Sequence, residues 1–173
     1  MRYLSYRVHY YLIIFIIFCF YSLHAEENKF FPKYIYDIDD NKVVISELSK
    51  NKTICLVTIK SVSCPVCTEQ LIRIRERIKE FNRCNLTFLV LAPGGKDGIK
   101  KLRKRTGFPF PFIQDKNLKI AKRFDLAMPP FEIIPAVILL EKDGSARWVK
   151  PGRSPDYYSD QALIDYLDCV NWI

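Results

Sequence analysis

The chain has 173 residues, 49% hydrophobic and 27% charged, with a net charge of +8. That length is enough for one domain with a real apolar core. Its only histidines are His9 and His24, so beyond residue 24 Ser-His and Cys-His catalysis have no internal base, which excludes the usual hydrolase chemistries.

Residues 1–25 have the layout of a secretory signal. Arg2 and Arg7 give a positive start, residues 10–21 are an unbroken apolar run, and Ser22 to Ala25 form a cleavage region. Cleavage after Ala25 is expected, with retention as a short N-terminal membrane anchor as the alternative. The run falls short of the about 20 apolar residues a spanning helix needs. Bulky Phe18 before Cys19 argues against lipidation there. The expected mature domain is residues 26–173, exported to the periplasm or the extracellular space. The leader holds two of the 27 basic residues and none of the 19 acidic ones, so its removal lowers the net charge from +8 to +6. Five cysteines remain, Cys55, Cys64, Cys67, Cys84 and Cys169, an odd number in a compartment that permits disulfides.

Residues 34–45 read as a β-hairpin turning at 37–41, and residues 46–49 as a short helical turn. Residues 53–59 are a mostly β-branched apolar run, the signature of a buried strand. A polar turn from Lys60 to Ser63 leads into Cys64-Pro65-Val66-Cys67. Leu71, Ile74, Ile78 and Phe81 then follow at helical spacing, which predicts a helix to about Asn82 with Cys67 on its buried stripe. Pro65 suits the first helical turn, where its missing N–H costs nothing. Cys64 thus falls at the helix N-terminus, where free backbone N–H groups and the helix dipole favour a thiolate and lower its pKa below about 8.5. Cys67, three positions on, shares that face at about 5–6 Å, within disulfide reach. The pair reads as a redox-active dithiol, with a structural bridge or half of a zinc site as alternatives. Zinc would need two more ligands, which neither the leader histidines nor the scattered cysteines supply. No metal and no organic cofactor is expected.

Residues 86–91 read as a second buried strand, broken by Pro93-Gly94-Gly95. A basic helix follows over 96–106 with Ile99 and Leu102 inward, then a Pro-interrupted extended piece at 108–114 and a short helix at 117–124. Residues 135–140 read as a strand, Asp143-Gly144 as a hairpin turn into 146–149, and residues 155–169 as a closing helix. The pattern is α/β: a central mixed sheet flanked by helices, with an N-terminal β-hairpin. The cationic run at 100–105 is expected to be the solvated face of its helix. Export removes nucleic acid as a partner and leaves anionic headgroups or an acidic partner for that face. Cys55 is expected to be a small buried hydrophobe.

The hairpin, Cys64-Pro65-Val66-Cys67 opening the first long helix, Phe112-Ile113-Gln114-Asp115, and the stretch from Ile134-Pro135 to Asp143-Gly144 together resemble the thioredoxin-like superfamily. Within it they resemble the redoxins: alkyl hydroperoxide reductase/thiol-specific antioxidant proteins and exported thiol-disulfide oxidoreductases. The resemblance spans about residues 30–170. It implies that Cys64 attacks and Cys67 resolves. It also implies that Pro135 is a cis-proline facing the pair, with the Ile134 carbonyl and amide free to pair with an extended substrate. The peroxidase members carry Pro-x-x-x-Thr/Ser-x-x-Cys; Ser61 stands at the hydroxyl position, but Val57 replaces the proline. Arg147 is the candidate for the anion-binding arginine of that group, against the plain reading of an exposed hairpin residue. No buried carboxylate lies on the core strand; Glu69 and Glu132 are the nearest, both expected at the surface.

Lys60, Ser61 and Ser63 are supporting candidates, Lys60 because an ammonium near Cys64 would favour its thiolate. The expected activity is exported thiol-disulfide exchange through the Cys64-Cys67 pair with protein or small thiols. The alternatives are a thiol peroxidase reducing hydroperoxides through a Cys64 sulfenic acid, and a redox-inert binding module. A reductant or peroxidase direction is expected over a general oxidant, with electrons from a thioredoxin-like donor or a membrane reductase.

Overall fold

The structure, a computed structural model, describes residues 30–152 together with Leu163, Tyr166 and Leu167. Strands β1 (Tyr34–Tyr36) and β2 (Lys42–Val44) form the expected antiparallel hairpin. Its turn is held by Asp37, whose carboxylate accepts the Asp39 N–H at 2.8 Å and the Asn41 N–H at 2.9 Å, an Asx-type arrangement. A single helical turn, α1 (Ile45–Leu48), leads to the central strand β3 (Thr53–Thr58).

The helix predicted to reach Asn82 is divided at Arg77 into α2 (Pro65–Glu76) and α3 (Ile78–Arg83). Arg77 has φ −100° and ψ 13°, and its N–H is shared between the Arg73 and Ile74 carbonyls, so the axis changes without losing that donor. The apolar spacing runs on through the break, which is why the sequence reads as one helix. Strand β4 (Leu86–Ala92) and helix α4 (Lys96–Thr106) stand as expected, the helix ending on Gly107 in the left-handed region at φ 61°.

Of the extended piece at 108–114, only β5 (Phe112–Gln114) joins the sheet. The next helix is a 3-10 turn, Lys116–Leu118, running into α5 (Lys119–Arg123). The buried Asp115 carboxylate accepts the Ile120 and Ala121 N–H groups at 2.9 and 2.8 Å, satisfying donors at the start of that short helix. A hairpin absent from the sequence reading follows, β6 (Ala127–Met128) with β7 (Glu132–Ile133). The chain then enters β8 (Ala136–Leu140) and β9 (Ala146–Pro151).

The five-stranded sheet has the order β5-β4-β3-β8-β9. Strands β3, β4 and β5 are parallel; β8 and β9 join antiparallel, so the sheet is mixed as expected. Alternation sorts the side chains into two cores. Cys55, Val57, Phe88, Val90, Val137 and Leu139 face the side covered by α2 and α4. Ile54, Leu56, Leu89, Leu91, Ile138 and Leu140 face α5 and the β6–β7 hairpin. Leu163, Tyr166 and Leu167 are helical, and Leu163 is buried in the first core. The remainder of the expected closing helix, with Cys169, and the expected leader lie outside the described residues.

Candidate active site

Three parallel strands deliver their C-terminal ends to one edge of the sheet, and the Lys60–Cys67 segment leaves β3, the central strand of the five, there. Cys64 is the N-cap of α2, in extended backbone conformation, with Pro65 opening the helix as anticipated. Cys64 and Cys67 form a disulfide with their Cα atoms 5.3 Å apart. Cys64 is half-buried, whereas Cys67 is 1% exposed and packs with Leu71 and Ile74. An external reactant therefore meets Cys64 first.

Each sulfur receives a backbone N–H. Cys67 N–H donates to Cys64 Sγ at 3.2 Å, and Lys60 N–H donates to Cys67 Sγ at 3.3 Å. On reduction, both donors are already in place for thiolate charge, with the helix dipole adding to the first. Lys60 thus reaches the pair through its main chain. Its ammonium is drawn aside into an ion pair with Glu132 at 3.4 Å, which brings the β6–β7 hairpin against the turn. Ser61 and Ser63 bond to each other through their hydroxyls at 3.2 Å, on the exposed side of the turn.

An exposed cation of the basic run completes the turn. Arg105, in the last turn of α4, donates to the Val62 carbonyl at 3.0 Å and to Thr68 Oγ1 at 3.1 Å. Thr68 Oγ1 in turn donates to the Cys64 carbonyl at 3.0 Å. Val62 also lies close to Gly98, where an added Cβ would come within 3.2 Å of Val62 Cγ2. Helix α4 therefore clamps the segment that carries Cys64. Other cations of α4 are also engaged within the chain: Arg103 and Lys100 pair with Asp39, and Lys96 with Asp40. An acidic hairpin turn of the same chain takes up part of the face assigned to solvent.

The substrate-binding reading of Ile134 and Pro135 requires correction. The Ile134–Pro135 peptide is trans; the cis peptide among the described residues is Pro129–Pro130. Ile134 N–H donates to the Leu126 carbonyl at 2.7 Å and Ile134 C=O accepts from Thr58 Oγ1 at 2.7 Å, so its backbone is consumed inside the fold. Pro135 C=O accepts from Gly152 N–H at 2.9 Å. Arg147 pairs with Glu141 at 3.6 Å, consistent with the exposed-hairpin reading. Glu69 is exposed and Glu132 is held by Lys60. Val57 sits fully buried in β3. Cys55 is a free, buried thiol whose pKa is pushed up strongly by desolvation, as its core position dictates. Cys84 is disulfide-bonded. Among the described residues no three His, Cys, Asp or Glu side chains gather as metal ligands.

The fold has many solved counterparts. Peroxidoxin BcpB from Mycobacterium tuberculosis superimposes with a TM-score of 0.68 at 16% identity, covering 81% of this chain and 92% of that one. Bacterioferritin comigratory protein from Xanthomonas campestris, described for its alkyl peroxide reduction, gives 0.67 at 14% identity, over 79% and 90%. The mitochondrial 2-Cys peroxiredoxin of Plasmodium falciparum gives 0.66 at 17% identity, over 82% and 89%. At these identities the likeness establishes the thioredoxin-like fold. No curated protein matches the chain by sequence. The profile of one family does match, over residues 27–149, a span that holds the hairpin, the cysteine pair and four of the five central strands entire: the chain belongs to the AhpC/TSA family and is a thiol oxidoreductase of the redoxin type.

Proposed function

We propose that the chain is a thiol peroxidase whose peroxidatic residue is Cys64. The Cys64 thiolate attacks one oxygen of a hydroperoxide; an S–O bond forms, the O–O bond breaks, and the alcohol or water leaves with a proton. Cys67 then attacks the sulfenic sulfur, water leaves, and the Cys64–Cys67 disulfide results. Two electrons and two protons from a dithiol donor restore the pair by exchange. The observation that carries this reading is Cys64 at the N-cap of α2, its sulfur supplied with the Cys67 N–H, within a chain of the AhpC/TSA family. Cys67 is close enough to resolve without any unwinding of the helix.

Dedicated thiol-disulfide exchange is the second reading, favoured by one set of observations. Val57 replaces the proline of the peroxidase motif, and Arg147 is paired with Glu141. Stopped-flow mixing of the reduced protein with hydrogen peroxide, cumene hydroperoxide and a peptide disulfide separates the two. Fast oxidation by either peroxide, with a dimedone adduct on Cys64 in the Cys67→Ser variant, is the expected result. Slow peroxide reaction beside fast exchange would overturn it. We place the activity outside the cytoplasm on the strength of the leader-like residues 1–25, which N-terminal sequencing of the exported protein tests.

A further inference from the structure

Phe131 is the most exposed of the large apolar side chains among the described residues, at 79%. It stands in the tight connection between β6 and β7, beside Pro129 and Pro130, so it is presented on short, braced backbone. It also stands next to the redox pair in the chain of contacts. Its neighbour Glu132 pairs with Lys60, Ile133 N–H donates to the Lys60 carbonyl at 3.3 Å, and Lys60 N–H donates to Cys67 Sγ.

Phe131 and Pro130 form one wall of a cleft of about 570 Å³. The loop Pro93-Gly94-Gly95 forms another, and that loop borders the active-site turn through Val62, 3.9 Å from where a Cβ on Gly94 would lie. Lys116 and Lys122 line the remaining side, and neither has a carboxylate partner among the described residues. The carboxylate of the cleft, Asp115, is buried and spent on the Ile120 and Ala121 N–H groups. The cleft thus joins an apolar anchor to a net positive charge, two ammonium groups against one buried carboxylate, in a chain already of net charge +8. An aromatic anchor ringed by charge is the composition of a protein-docking surface more than of a sealed small-molecule pocket.

We propose that this cleft docks the reducing partner, a dithiol protein whose surface around its cysteines is acidic with an apolar centre. The proposal rests on the redox reading of Cys64 and Cys67 but not on peroxide being the oxidant. With the partner seated, its thiolate attacks the accessible Cys64 Sγ; the Cys64–Cys67 bond breaks and Cys67 leaves as a thiolate, accepting the Lys60 N–H. The partner's second thiolate then attacks its own bonded sulfur and expels Cys64. The partner ends as a disulfide, and two protons bring Cys64 and Cys67 to the dithiol. Opposite charge on the two surfaces speeds the encounter, and Phe131 holds the docked state.

The test measures reduction of the Cys64–Cys67 disulfide directly, with no peroxide present, so its failure is distinct from failure of the peroxidase reading. Two synthetic Cys-x-x-Cys dithiol peptides serve as probes, alike except that one is flanked by Glu and Leu and the other by Lys and Leu. The acidic peptide should reduce the protein about tenfold faster at low ionic strength. That preference should collapse in about 1 M salt, where the screening length is about 3 Å. It should also collapse in the Lys116→Glu/Lys122→Glu variant. Phe131→Ala should lower the rate with both peptides relative to dithiothreitol. Equal rates for the two peptides, or a preference that survives the double charge reversal, would overturn the proposal.

Discussion

At the scale of single residues, the chemistry divides between two sulfurs that differ in access. Cys64 is reachable and caps a helix; Cys67 is enclosed by Leu71 and Ile74. Cys64→Ser should therefore abolish turnover and neutral-pH alkylation of the reduced pair. Cys67→Ser should keep the nucleophile and accumulate mixed disulfides, because no internal thiol remains to displace the partner. Mass spectrometry of iodoacetamide-treated and donor-treated variants reads both outcomes, and alkylation of Cys67 ahead of Cys64 would reverse the roles. These positions were legible in the sequence, because a proline after Cys64 and a regular apolar stripe through Cys67 are local signals. The fates of Lys60 and Arg105 were not. Glu132, which captures the Lys60 ammonium, lies 72 positions along the sequence. Arg105 finds its acceptors, Val62 and Thr68, 43 and 37 positions away. A basic helical run gives no local sign of which exposed cation reaches across to the active-site turn and which does not.

At the scale of elements, the β1–β2 hairpin is fastened to α4 by charge. The Arg103 guanidinium holds the Asp39 carboxyl below the usual carboxylate range, chiefly through their hydrogen bond. A lowered folded pKa means that the contribution is present above the unfolded value of about 3.9 and is lost as pH falls through the folded one. Asp39→Asn should therefore melt slightly below the parent protein at pH 7. The difference should shrink as pH drops below about 4 and disappear in acid. It should also narrow in high salt, since the pair is exposed. Thermal melts of both proteins across pH check this, and a constant difference into strong acid would show that Asp39 acts through something other than its charge. The strands of the sheet were readable from runs of apolar and β-branched residues. The β6–β7 hairpin was not, since two-residue strands carry no periodicity and Pro129-Pro130 reads as a plain break.

At the scale of the whole molecule, β3 is the middle strand and pairs along its length with β4 and β8. Cys55 lies within it, opposite Phe88 on one side and Leu139 on the other, fully buried and with its thiol pKa raised by desolvation. Reaching that sulfur requires opening both sides of the central strand, which amounts to unfolding the domain. In the native protein Cys55 should resist alkylation while reduced Cys64 reacts, and in rising denaturant its labelling should track loss of the folded state. Pulsed labelling beside a circular-dichroism unfolding curve is the check; labelling well ahead of the curve would mean a local opening of the sheet. The overall architecture was legible because β3, β4, β8 and β9 each obey a local pattern, whereas the cis peptide expected at Pro135 came from resemblance alone and is not found there. The two hydrogen bonds received by the redox sulfurs come from the peptide groups of Lys60 and Cys67. Alanine scanning is therefore blind to them: short of proline, which would also fix the backbone dihedral, no change of side chain at position 60 deletes its N–H. What tunes these sulfurs is inherited with the path of the chain rather than with its alphabet, and a chemical edit of the backbone, such as an ester in place of the amide at position 60, would remove one donor while keeping the lysine side chain that carries the ion pair with Glu132.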